Sequence, residues 1–154
     1  MKTNVLVAVA LGAYLVSPGA EAETDACGLL TTAQVSSNVG FPVSAGQHVT
    51  PTFLKTCTWS GTSGGGVQAV TLNLQTGAFF DGAKKQANMA VAAGATVKSA
   101  GVGDDSYFLV EGTQVMLWVK KGAASFKVAI YKQIPVAQKE AMELTLARQV
   151  AQKL

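Results

Sequence analysis

Charge is scarce in this chain. Only 14% of its 154 residues are Asp, Glu, Lys or Arg, against roughly 25% in an average soluble domain. That excludes a long, highly charged disordered tail, which needs dense charge to stay solvated. Twelve basic and nine acidic residues leave a net charge of +3. Nucleic-acid modules carry a dense basic stripe to hold phosphates, so no nucleic-acid partner is expected. Histidine and cysteine are almost missing: His48, Cys27 and Cys57 are all there is. A protein-built zinc site takes about three or four such ligands, so no metal and no other cofactor is expected. A Cys-x-x-Cys redox spacing and a G-x-x-x-x-G-K-[ST] phosphate loop are both lacking.

Hydrophobic residues, by contrast, make up 49% of the chain. Part of that excess sits at the N-terminus. Met1-Lys2 is a short positive start, and Val5 to Val16 is an apolar run broken by Ser17-Pro18-Gly19. Ala20-Glu21-Ala22 then matches the small-x-small rule of signal peptidase. Residues 1–22 therefore read as a cleaved secretory signal peptide, and 23–154 as one domain, periplasmic or secreted. About twelve apolar residues cannot cross a hydrocarbon core of roughly 30 Å, so no stable membrane anchor is expected after cleavage. Cys27 follows Glu23-Thr24-Asp25-Ala26 rather than the Leu-small-small pattern of a lipid-attachment site. In an oxidising compartment, Cys27 and Cys57 are free to join. Such a bond encloses about thirty residues and stabilises by roughly 3–4 kcal/mol in the chain-entropy picture. Two free thiols or a redox pair are the other readings.

The remaining pattern is mixed. Thr31-Thr32-Ala33-Gln34 has the capping-box form, and Gly40 and Pro42 close a helix over about residues 32–39. Phe41 to Leu54 reads as irregular chain. Lys55 to Ser60 alternates, with Cys57 and Trp59 on one face, and Val67 to Gln75 alternates through Val70, Leu72 and Leu74. Between them, Gly61 to Gly66 reads as a mobile turn, which makes a hairpin. Gly77 to Ala93 carries a helical stripe at Phe80, Ala83, Ala87 and Val91. Ser106 to Val110, Thr113 to Lys120 and Ala124 to Lys132 are strands on short Gly turns, an antiparallel meander. Pro135 opens a last helix whose stripe is drawn from Val136, Ala141, Leu144, Leu146, Ala147, Val150 and Leu154. The order α-β-β-α-β-β-β-α predicts an α+β fold, one antiparallel sheet of about five strands with helices mainly on one face.

The run Cys27-Gly-Leu-Leu-Thr-Thr-Ala-Gln-Val, then Cys57-Thr-Trp59, then Gly101-Val-Gly-Asp104-Asp-Ser-Tyr107, carries a family likeness. With the Lys-Gly turn and the Ala- and Leu-rich last helix, the chain resembles small exported domains of unknown function found in mycobacterial-type lipoproteins. The resemblance implies a disulfide-stapled α+β domain of the cell envelope, with no chemistry to carry over. The chain departs from those proteins in lacking the lipid-attachment cysteine.

Two segments have the outward form of catalytic motifs. Gly61-Thr62-Ser63-Gly64-Gly65 matches G-x-S-x-G, but that chemistry needs the serine on a strained strand-to-helix turn beside a His and an acid. Ser63 lies between two strands instead, and His48, the lone imidazole, sits in the irregular stretch. A small hydrolase using Ser63 or His48 is the second reading of the chain. Asp104 and Asp105 are adjacent, so on a strand they point to opposite faces, and an Asp at a Gly turn commonly bonds its own backbone.

The strands suggest binding. Val115, Leu117 and Val119 share a face, which leaves Met116 and Trp118 on the other; Phe126, Val128 and Ile130 leave Lys127 and Tyr131 opposite. If the first set meets the helices, Met116, Trp118, Lys127 and Tyr131 gather on the second face within about 5 Å of cross-strand neighbours. An aromatic and Met patch beside Lys is what a binding face presents. Covered by a loop or by the long last helix, it is ordinary core. The expected function is a non-catalytic exported domain binding an envelope protein, a peptide or a small apolar ligand. A third reading is a homodimer with the patch as its own interface.

Overall fold

The computed structural model describes residues 23–63 and 66–154. The expected signal peptide, 1–22, and residues 64–65 lie outside the described residues. The chain opens with a single helical turn, Ala26–Leu29 (α1), capped by the Asp25 carboxylate, which accepts from the Cys27 amide at 2.7 Å. Thr32–Val39 (α2) follows where the capping box predicts it. Thr31 Oγ1 accepts from the Gln34 amide at 3.2 Å, and Gln34 Oε1 accepts from the Thr31 amide at 2.9 Å. These two bonds satisfy amides that a helix start leaves open.

Thr56–Ser63 (β1) and Gly66–Thr76 (β2) form the hairpin, in register from Thr56↔Asn73 to Ser63↔Gly66. The strands thus run further into the glycine-rich stretch than its composition predicts. Gly77–Ala90 (α3), capped by Thr76, ends in a 3-10 turn at Val91–Ala93. Then come Thr96–Ser99 (β3), Asp105–Glu111 (β4), Gln114–Lys121 (β5), Ala124–Tyr131 (β6) and Val136–Ala151 (α4).

The class is α+β, as the pattern predicts. Among the described residues the sheet has six strands rather than about five, all antiparallel, in the order β1-β2-β6-β5-β4-β3. The unforeseen strand is β3, whose only apolar residue is Val97, so it has no alternation to read. The unforeseen helix is α1, a turn too short to show a period. The last strand does not end the meander at an edge. β6 returns to pair with β2, from Ala69↔Tyr131 to Thr76↔Ala124, and so joins hairpin and meander into one sheet.

One face of that sheet is the main core. Val70 and Leu72 of β2, Leu117 of β5 and Val128 of β6 are wholly buried, against Val35 and Val39 of α2 and Leu146, Ala147 and Val150 of α4. Each buried Val or Leu contributes about 1.5–3 kcal/mol. The three helices α1, α2 and α4 lie on this side. α3 alone packs on the other, with Phe80 and Ala87 against Tyr107. Cys27 and Cys57 are joined in a disulfide that ties α1 to β1. No helix among the described residues is long and apolar enough to cross a membrane.

The Gly101 to Asp104 motif has a structural purpose. Gly103 takes φ +65°, and a Cβ there would collide with the Lys120 carbonyl oxygen. The Asp104 amide donates to that oxygen at 2.9 Å, and Asp104 Oδ2 accepts from the Gly122 amide at 2.6 Å. The Gly122 bond, with Lys121 and Lys120 nearby, outweighs desolvation and lowers the Asp104 pKa. Gly103→Ala is expected to cost about 2 kcal/mol or more, left-handed strain plus collision with backbone. Urea denaturation of the variant checks this; an unchanged midpoint contradicts it.

Candidate binding site

The second sheet face divides into two halves. Over β1 and β2 it is polar, with Thr58, Ser60, Thr71, Asn73 and Gln75 turned outward, opposite the buried Trp59, Leu72 and Leu74. Over β4 and β5 it is aromatic, and α3 lies across it. Thr76 caps α3 at the end of β2, and the helix then crosses β5 and β4 on its way to β3. Lys120 Nζ reaches Asp81 at 2.9 Å, and Lys84 Nζ reaches Asp105 at 2.6 Å, one ion pair from the sheet to each of two turns of the helix. Both pairs are partly exposed and contribute about 0–1 kcal/mol each. Burial of Phe80 contributes more.

Four rings form a run under this helix. Phe79 stacks on Trp118 with centroids 5.8 Å apart, Trp118 on Tyr107 at 6.4 Å, and Phe80 meets Tyr107 at a tilt, 5.4 Å away. Offset and tilted pairs at these distances are favourable because ring edges and faces carry opposite partial charge. Phe79 is 48% exposed and is the open end of the run. Between α3 and the sheet lies a groove of about 270 Å³, lined by Phe79, Ala83, Ala87, Tyr107, Leu109 and Trp118, with Gln86 and Glu111 adding polar atoms. Tyr107 is buried, and its hydroxyl has no hydrogen-bond partner among the described residues. Burial, and then the Asp105 charge, push the phenol up to about 12, so the hydroxyl stays a donor at any physiological pH.

Of the four residues expected to share a patch, the sheet brings two into direct contact. Trp118 and Lys127 are paired across β5 and β6, with the ammonium 5.4 Å from the indole centroid. Met116 is two residues along β5, half-buried and paired with Leu109. Tyr131 is separate from them. The pairing of β5 with β6 stops at Leu117↔Val128, and Tyr131 lines a different cleft beyond that point. The cover over Trp118 is α3, neither a loop nor the long last helix. Sequence periodicity missed Phe79, because it sits one residue off the buried stripe of α3 and reads there as a stray surface aromatic.

The other candidates have structural partners. His48 Nδ1 lies 3.0 Å from the Thr56 carbonyl oxygen, and its Nε2 lies 3.3 Å from Asp25 Oδ1. Rather than sitting loose in solvent, it ties the irregular 41–55 stretch to β1 and to the α1 cap. Ser63 is at the far end of β1 from Thr56, roughly 20 Å away at a strand rise of about 3.3 Å per residue. Ser63 and His48 are therefore not brought together. Asp25, Cys27 and His48 offer ligand atoms within 4.8 Å of one another. The Cys27 sulfur is spent in the disulfide, so two ligands remain, fewer than the about three or four of a zinc site.

No family model matches the chain. Neither the curated proteins nor the solved structures contain a match.

Proposed function

We propose that this chain is a non-catalytic binding domain of the bacterial cell envelope, whose groove between α3 and the sheet takes a small ligand with a flat apolar ring. The observation that carries this reading is the run of rings ending in Phe79, half-exposed beside a groove that Trp118 and Tyr107 floor. A groove of about 270 Å³ lies just below the roughly 300–1,000 Å³ of drug-sized sites, which suits one ring system. Trp118 is held flat by Phe79, Tyr107 and Lys127, so a ligand meets a preorganised surface and less entropy is lost on binding. Export to the periplasm or beyond, with cleavage after Ala22, is supported by the N-terminal motif and by the disulfide, which persists in oxidising compartments.

Titration with 2-naphthol, followed by its own fluorescence, is expected to saturate at about one site per chain. Phe79→Ala removes the exposed stacking partner, worth about 0.5–1.5 kcal/mol beyond area burial, and weakens binding about tenfold. Phe53→Ala removes an equally exposed ring in the 41–55 stretch and leaves binding unchanged. Equal binding by both variants rules the groove out.

A further inference from the structure

A second cleft, of about 470 Å³, opens where β5 and β6 part. Their register ends at Leu117↔Val128, and Val115 and Ile130 stand on either side of the gap that follows. Val67, Tyr131 and Ile134 extend an apolar wall outward, with Val67 83% exposed. α4 starts at this gap. Its N-cap is Pro135, which lines the cleft, no side chain caps the helix, and its first turn holds no acid. Helix starts favour negative charge, and neither the first turn of this one nor the lining of the cleft supplies any.

Lys139 lies at the same place. It is only 6% exposed, it lines the cleft, and its ammonium donates to the Thr113 carbonyl oxygen, another lining group, at 2.7 Å. No carboxylate among the described residues is in ion-pair contact with it, and no residue lining the cleft is acidic. Lys132 also lines the cleft, but its ammonium turns away to the Val39 carbonyl oxygen and the Phe41 ring. The acid one turn on along the helix is Glu143, wholly buried, with Oε1 accepting from the Ile130 amide at 2.9 Å. Desolvation holds Glu143 up at about 8, against the lowering effects of the Ile130 and Leu117 amides and of Lys139, and with Glu140 raising it further. Glu140 itself is paired with Lys98. At neutral pH Glu143 is mostly protonated, so it does not neutralise Lys139. A buried ammonium without an anion is costly to desolvate, and an anion supplied from outside relieves that cost.

We infer that this cleft is a binding site for an aliphatic carboxylate, its head on the Lys139 ammonium at the start of α4 and its chain along Val115, Ile130, Ile134 and Val67. The ligand class is a fatty acid. The site is separate from the ring-binding groove and stands independently of it.

Calorimetric titration of the full chain at pH 7 with decanoate, decanol and decyl phosphate tests this. Decanoate is expected to bind at one site at least tenfold more tightly than decanol, which has the same tail and no charge. Lys139→Met keeps most of the apolar stem, and is expected to erase that preference while Phe79→Ala retains it. The wild-type comparison stands on its own if Lys139→Met fails to fold. Decanol binding as tightly as decanoate overturns the site, as does an undiminished preference in folded Lys139→Met, or no saturable binding of decanoate. A preference for decyl phosphate over decanoate overturns the carboxylate assignment.

Discussion

Between pH 5 and pH 9 the protein is expected to lose several kcal/mol of stability, most of it through Glu143. This side chain is wholly buried, with one oxygen on the Ile130 amide and the other, Oε2, without a partner among the described residues. Burial raises its pKa from 4.5 to about 8. The folded state therefore holds a proton that the unfolded chain releases at lower pH. The resulting stabilisation is present in full below pH 4.5, declines as pH rises, and is gone once pH has passed through about 8. The slope in that window approaches about 1.4 kcal/mol per pH unit. Glu143→Gln mimics the protonated acid in shape and charge. It is expected to match the parent near pH 5 and to exceed it by roughly 3–5 kcal/mol at pH 9. Urea unfolding of both proteins at pH 5, 7 and 9 measures the difference. Parallel losses in parent and variant would show that another group is responsible.

Removing the disulfide is the other large effect. Cys27 and Cys57 are 30 residues apart in sequence, and opening a loop of that length costs roughly 3–4 kcal/mol in the chain-entropy model. The bond is also packed in place: Cys57 is wholly buried, and a Cβ on Gly46 would come within 2.5 Å of its sulfur. The double variant Cys27→Ala, Cys57→Ala is expected to lose that amount, with the sheet retained because β1 still pairs along its length with β2. Chemical denaturation of the variant, and of the parent with and without reductant, checks it. A loss below about 1 kcal/mol would mean that the reduced chain is already constrained by other contacts.

Much of this architecture was legible residue by residue. The capping box from Thr31 to Gln34 announced α2, and Lys121-Gly122 announced the turn between β5 and β6. Those signals are local, each read from a few neighbouring side chains. The last helix was harder. Leu146, Ala147 and Val150 were expected on its buried stripe and are there, and Leu144 packs half-buried against the core, but Ala141 is exposed and the stripe continues through Lys139 and Glu143. Hydrophobic patterning assigns charged residues to solvent. The signal available was their spacing: 139, 143, 146, 147 and 150 follow a helical period. What lets two charged groups be buried is a set of backbone partners, the Thr113 carbonyl and the Ile130 amide, that only the fold supplies.

The candidate patch followed the same division. Strand alternation places Trp118 and Lys127 together, because a strand's side chains must alternate, but it does not foresee that Tyr131 lines a separate cleft. The sequence by itself also determined the class, the scarcity of charge and ligand-forming residues, and the cysteine pair. The tertiary structure decided that β6 pairs with β2, that α3 crosses the second face, and that β5 and β6 part beside Tyr131. Each of these brings together residues distant in sequence. Their partners are chosen by packing between elements, and no local pattern of side chains encodes that choice.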